Sequence, residues 1–81
     1  MPAASVRVRL FAGLREQAGW RERHWPIGAA VTLTPQQLWH ELALPGDLGS
    51  VRIAINQQFA ASDTALRAGD ELAFLPPISG G

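Results

Sequence analysis

Gly80 and Gly81, the last two residues, carry no side chain, so the group with any chemistry at that tip is the α-carboxylate. A carboxylate ionised at neutral pH is a poor electrophile. It reacts only after another agent converts it to a mixed anhydride, and acyl adenylation by ATP is the direct route. A tip without Cβ atoms can also enter a channel too narrow for other residues. Before it, Pro76-Pro77 favours the extended polyproline form and biases Leu75 towards β geometry. The last six residues then reach roughly 20 Å from their root. The expected device is an arm, 76–81, stiff at its base, that delivers an activatable main-chain terminus into another protein's active site.

No second constellation competes with it. His40-Glu41 opens like a zinc-site motif, but the residue four after His40 is Leu44, and His24 stands apart, so both histidines read as ordinary surface residues and no metal is expected. Gly46-Asp47-Leu48-Gly49 lacks the lysine and the context of a phosphate loop. Ser5, Ser50, Ser62 and Ser79 have no local nucleophile signature. Cysteine is absent, which removes disulfides, thiolate ligands and a thiol nucleophile. The carboxylates are scattered, and a chain of 81 residues is expected to have little room for a concave pocket. The expectation is a protein with no active site and no bound cofactor of its own.

The elements that must hold the arm are legible from patterning. Ser5 to Phe11 alternates apolar and charged residues, which predicts a half-buried strand with Val6, Val8 and Leu10 inward. Leu14 to Ala18 are good helix formers followed by Gly19, which predicts a short helix at roughly 13–18. Glu22 to Ile27 predicts a second strand. Thr34, Pro35 and Gln37 form a helix-start signature over 34–44, with Leu38 and Leu42 on one stripe and Pro45-Gly46 as the stop. Val51 to Ile55 is rich in β-branched residues, Asn56-Gln57 is a turn, and Gln58 to Ala60 is a short returning strand. Ser62 to Ala68 is a connection, Ala68-Gly69-Asp70 a turn, and Glu71 to Leu75 the last strand. Pro76-Pro77 cannot prolong a central strand. The domain is expected at 1–75 and the arm at 76–81.

Composition excludes whole classes of partner. Seven basic residues, all arginine, balance seven acidic ones, so the chain lacks the basic footprint that nucleic acid demands. No apolar run is long enough to span a membrane, and no signal peptide is visible at the start, so the expected location is cytoplasmic. With no lysine, the chain offers no Schiff-base amine and no acceptor for an isopeptide bond.

Four segments carry a resemblance to a known family. Val8 to Glu16, Ala54-Ile55-Asn56, Ala68 to Ala73 and Leu75-Pro76-Pro77-Ile78-Ser79-Gly80-Gly81 resemble the small subunits of molybdopterin synthase, sulfur carriers of the ubiquitin-like β-grasp fold. The implied fold class is α+β, a mixed sheet of four to five strands covered on one face by a helix. The resemblance implies that an E1-like adenylyltransferase, using Mg-ATP, forms an acyl-adenylate on Gly81, and that a sulfurtransferase system converts it to a thiocarboxylate. The tail, with Pro76, Pro77, Ser79 and Gly80, then enters the synthase large subunit. There the sulfur passes to cyclic pyranopterin monophosphate in molybdenum cofactor biosynthesis. The family's synthase is a heterotetramer.

Phe74, Leu75 and Ile78 near the root are the candidates for docking onto these partners, with the core as the alternative for Phe74. The chain departs from the family in having no lysine, so that Arg52 or Arg67 must serve any contact a lysine makes, and in Asn56-Gln57 where Asn-Gly is commoner. Three other readings share these features. They are a thiamine-pathway sulfur carrier, which usually lacks the proline pair, a ubiquitin-like protein modifier, and a non-covalent β-grasp module whose diglycine is incidental.

Overall fold

The structure is a computed structural model that describes residues 4–28 and 32–76. Strand β1 spans Ser5–Leu10, helix α1 Ala12–Ala18, β2 Glu22–Pro26, α2 Pro35–Glu41, β3 Arg52–Ile55, β4 Gln58–Phe59 and β5 Glu71–Leu75, with one 3-10 turn at Leu48–Ser50. The sheet runs in the order β2-β1-β5-β3-β4. β1 and β5 are parallel, and the other neighbours are antiparallel. This five-stranded mixed sheet with its helices is the α+β, β-grasp arrangement that the sequence leads one to expect.

The alternation in β1 decides which face is core. Val6, Val8 and Leu10 are buried, while Arg7 and Arg9 point the other way. Their partners follow the same parity, so Leu72 and Phe74 of β5 and Ile53 of β3 join the buried face. Leu14 of α1 and Leu38 and Trp39 of α2 close over it. The Trp39 and Phe74 rings meet edge to face, with centroids 5.1 Å apart at 73°, a geometry that aligns ring edge with ring face.

The start and the stop of α2 have local causes. The Thr34 hydroxyl accepts from the Gln37 N–H at 3.2 Å, and the Gln37 side chain accepts from the Thr34 N–H at 2.9 Å. That reciprocal pair satisfies two otherwise orphaned donors. The helix stops at Glu41 rather than running to 44. Ala43 takes a left-handed φ of 51°, its N–H donates to the His40 carbonyl, and the Leu44 N–H donates to the Trp39 carbonyl. This is a Schellman closure built on alanine instead of glycine. Leu44, drawn into the core behind it, precedes Pro45, which disfavours helical geometry at that position. The first strand likewise ends one residue early, because Phe11 becomes the N-cap of α1.

Candidate functional site

The face of the sheet turned away from the helices is divided into two halves. Cross-strand pairs place Arg7 beside His24 and Glu71, Arg9 beside Glu22 and Ala73, Ala54 beside Ala73 and Phe59, and Arg52 beside Leu75. Side chains directly opposite one another share a face. The half over β2, β1 and the start of β5 is therefore charged, and the half over the end of β5, β3 and β4 is apolar with one arginine.

In the charged half Glu71 accepts from both arginines, with Arg7 Nη2 at 2.8 Å on Oε2 and Arg9 Nη1 at 2.9 Å on Oε1. The hydrogen bond from Arg9, then that from Arg7, holds the Glu71 carboxyl below its ordinary 4.5, against some opposition from desolvation. Glu22 lies 3.9 Å from Arg9 and 3.8 Å from His24, so the strip is internally paired.

The apolar half contains Leu75, Ala73, Ala54 and Phe59. Phe59 is 73% exposed, an unusual state for a large hydrophobic residue, and the Arg52 guanidinium sits 5.8 Å from its ring centroid. The two-residue β4 has no third position to curl over the ring, and its partner Ala54 is too small to cover it. Leu75, half-buried, is the last residue of β5, and Pro76 follows it immediately. Ala54 and Ala73 are themselves buried, so this half exposes the Phe59 ring and part of Leu75 at the root of the tail.

The turn beside it is pinned. Asn56 and Gln57 have φ of 52° and 69°, the two positive values of a type I′ hairpin turn. Asn56 Nδ2 donates to Asp70 Oδ1 at 2.9 Å, and Asn56 Oδ1 accepts from the Glu71 N–H at 3.0 Å. Asp70 Oδ2 in turn accepts from the Arg67 N–H at 2.8 Å. One side chain ties the β3–β4 turn to the start of β5, so Phe59 and Leu75 are held in a fixed relation.

The site residues named from the sequence fall in three groups. Pro76 and Leu75 lie at the root, as described. Phe74 is not a docking residue. Its side chain is fully buried, because it has the parity of Leu72 and Val8 and faces the helices. Pro77, Ile78, Ser79, Gly80 and Gly81 lie outside the described residues. Phe59 was missed, and the signal was its position directly opposite Ala54 in a hairpin whose turn was correctly placed.

The expectation of little concavity also needs correction. A wide groove of about 790 Å³ runs between α2 and the β3–β4 side, lined by Trp39, His40, Leu48, Val51, Ile53 and Phe59 among others. Its volume is within the range of ligand pockets. His24 and His40 are not brought together, since one lies on the open face of β2 and the other on α2. Among the described residues, no group of three or more His, Asp or Glu stands close enough to share a metal ion, and no helix is long and apolar enough to cross a membrane.

With this geometry the likenesses to known proteins can be weighed. The sequence model of the ThiS family matches residues 8–81. The molybdopterin synthase sulfur carrier subunit of Haemophilus influenzae is 34% identical over 80 residues, covering 94% of this chain and 99% of that protein. The crystal structure of SAMP1 from Haloferax volcanii superposes with a TM-score of 0.76 at 34% identity, covering 95% of this chain and 99% of that one. Subunit 1 or 2 in the protein–protein complex of the Helicobacter pylori molybdopterin-converting factor aligns with a TM-score of 0.63 at 29% identity, covering 95% of this chain and 99% of that one.

Proposed function

This chain belongs to the ThiS family, and from that premise we propose that it is the sulfur carrier subunit of a molybdopterin synthase. The observation that carries the proposal is the likeness to the Haemophilus influenzae carrier over nearly the whole of both chains. The exposed Phe59, and the half-buried Leu75 at the root of the tail, support it, because a carrier must present one apolar face to each partner while its terminus is inside that partner.

The chemistry balances without any catalytic group on this chain. The Gly81 carboxylate attacks the α-phosphorus of Mg-ATP in the adenylyltransferase, pyrophosphate leaves, and an acyl-adenylate forms. Hydrosulfide supplied by the sulfurtransferase system attacks the acyl carbon and expels AMP, leaving a thiocarboxylate. In the large subunit the terminal sulfur displaces an oxygen substituent from a side-chain carbon of cyclic pyranopterin monophosphate, and hydrolysis of the resulting thioester leaves the sulfur on the pterin and returns the Gly81 carboxylate. Residues 76–81 are the inserted arm, with Ser79 and Gly80 in the channel and Ile78 at its mouth. Leu75 and Phe59 dock on the surface around it. The complex of subunits 1 and 2 in Helicobacter pylori supports the large subunit as partner.

Deleting Gly81, or adding one residue after it, tests this reading. Sulfur transfer to the pterin precursor in a system of carrier, adenylyltransferase, sulfur source and large subunit is expected to stop, with circular dichroism unchanged. Undiminished transfer by either variant would overturn the proposal, and transfer to a thiazole synthase instead would assign the chain to the thiamine pathway.

A second reading, protein modification through Gly81, is favoured by one observation, the likeness to SAMP1, a small archaeal modifier protein. It is tested by blotting cell lysates for adducts of this chain that survive boiling with thiol. Such adducts would support it, and their absence beside active sulfur transfer would leave the carrier reading alone.

A further inference from the structure

β2 is an edge strand, and no described strand pairs with its outer side. The direction of its main-chain groups follows from two hydrogen bonds. Leu10 N–H donates to the Arg21 carbonyl at 2.9 Å, and Ile27 N–H donates to the Ala4 carbonyl at 3.1 Å. Bonded positions alternate along an antiparallel ladder, so Arg23 and Trp25 also face β1, while Glu22, His24 and Pro26 turn their groups outward. The free edge therefore offers the N–H and carbonyl of Glu22 and of His24, and the carbonyl alone of Pro26.

On the helix side of the sheet the charged side chains beside that edge have one sign, while Glu22 and His24 lie on the open face. Arg23 pairs with Val8 and Trp25 with Val6, so both lie on the helix side of the sheet. The Arg23 guanidinium stacks 4.6 Å from the centroid of Trp20, and Trp20 and Trp25 are half-buried against the core. Among the described residues neither Arg21 nor Arg23 has an acidic partner, in contrast to Arg7 and Arg9. Stacking fixes the guanidinium plane and leaves its N–H edge free to donate.

Pairing with a second copy is disfavoured in each two-fold register. Centred on Glu22 it opposes two glutamates, and centred on Arg23 it opposes two arginines. Centred on His24 it sets Glu22 opposite Pro26, and centred on Trp25 it sets His24 opposite Pro26, which has no N–H. A strand with carboxylates meets none of these obstacles.

We propose that the outer edge of β2 is a second docking surface, which takes an extended acidic segment of a partner protein as an added strand, with a carboxylate of that segment on Arg23 and an apolar side chain against Trp25. The main-chain bonds at Glu22 and His24 give the pairing, and the Arg21–Arg23 row selects charge. This surface lies at the opposite edge of the sheet from Phe59, so a partner here leaves the tail's docking face uncovered.

The test uses the whole chain, two blocked extended peptides in which an aspartate, or in the second a lysine, stands two residues from a valine so that both point to one face of a strand, and heteronuclear NMR. The valine–aspartate peptide is expected to shift the amide signals of Glu22 and His24 saturably. Arg23→Glu is expected to weaken that binding roughly tenfold or more, since it replaces an attractive pair by a repulsive one. His24→Pro, which removes an outward N–H without touching either arginine or the ladder to β1, is expected to abolish it. The proposal is overturned if millimolar valine–aspartate peptide moves neither amide, if the lysine peptide binds equally well, or if the shifts centre on Phe59.

Discussion

A single carboxylate, Glu71, serves two arginines on the open face, and that makes acid stability a local property. Its carboxyl is held below 4.5 by Arg9 and then Arg7, so its contribution is complete above that value and is lost as pH falls through the lower, folded value. The midpoint of urea unfolding should therefore fall on acidification below about pH 4.5. Glu71→Gln should flatten that fall, and an equally steep fall in the variant would refute the assignment. Phe74 and Phe59 make the complementary pair. Phe74→Ala removes a fully buried ring and should cost about 3–5 kcal/mol in chemical denaturation. Phe59→Asp should leave stability within about 0.5 kcal/mol, while weakening large-subunit binding at least roughly tenfold, as the loss of an exposed aromatic anchor does. The parity needed to separate Phe74 from Leu75 was present in Glu71-Leu72-Ala73-Phe74-Leu75: Leu75 shares Glu71's face and Phe74 that of Leu72. Proximity to the tail drew attention to Phe74 in spite of it.

The elements differ in how locally they are encoded. The start of α2 was legible because Thr34, Pro35 and Gln37 complete their capping within one turn. Its end was not, because the closure puts alanine, a residue with no turn signature, at a positive φ. Ala43→Gly should raise stability by about 0.5–1 kcal/mol, since the gain from relieving a left-handed alanine exceeds the entropy glycine adds to the unfolded chain. Unchanged or lower stability in thermal unfolding would contradict the geometry. The β3–β4 turn was legible in position but not in what secures it, because Asn56 bonds to Asp70 and Glu71, fourteen and fifteen residues away. Asn56→Ala should cost about 0.5–1.5 kcal/mol, the net worth of a hydrogen bond open to solvent. It should also lower large-subunit affinity by loosening Phe59 relative to Leu75, an effect measurable by calorimetry at a temperature where the variant remains folded.

At the scale of the molecule the proposed design is a small β-grasp body and a tail whose terminus is the reactive group. The strand and helix order was legible from patterning; the resemblance implied a mixed sheet, but the parallel β1–β5 pairing itself was not legible, since no local signal encodes a contact between residues more than sixty positions apart. Half of the candidate site was legible for the same reason. Pro76 and Leu75 are next to the tail in sequence, whereas Phe59 reaches it only through the sheet. The central claim is that Gly81 carries sulfur, and intact-mass spectrometry of the chain, incubated with Mg-ATP, a cognate adenylyltransferase and sulfide, tests it most directly. The account predicts a mass gain equal to sulfur in place of one oxygen, confined to the C-terminal peptide. An unchanged mass, with the adenylyltransferase active on another carrier in the same mixture, would contradict it.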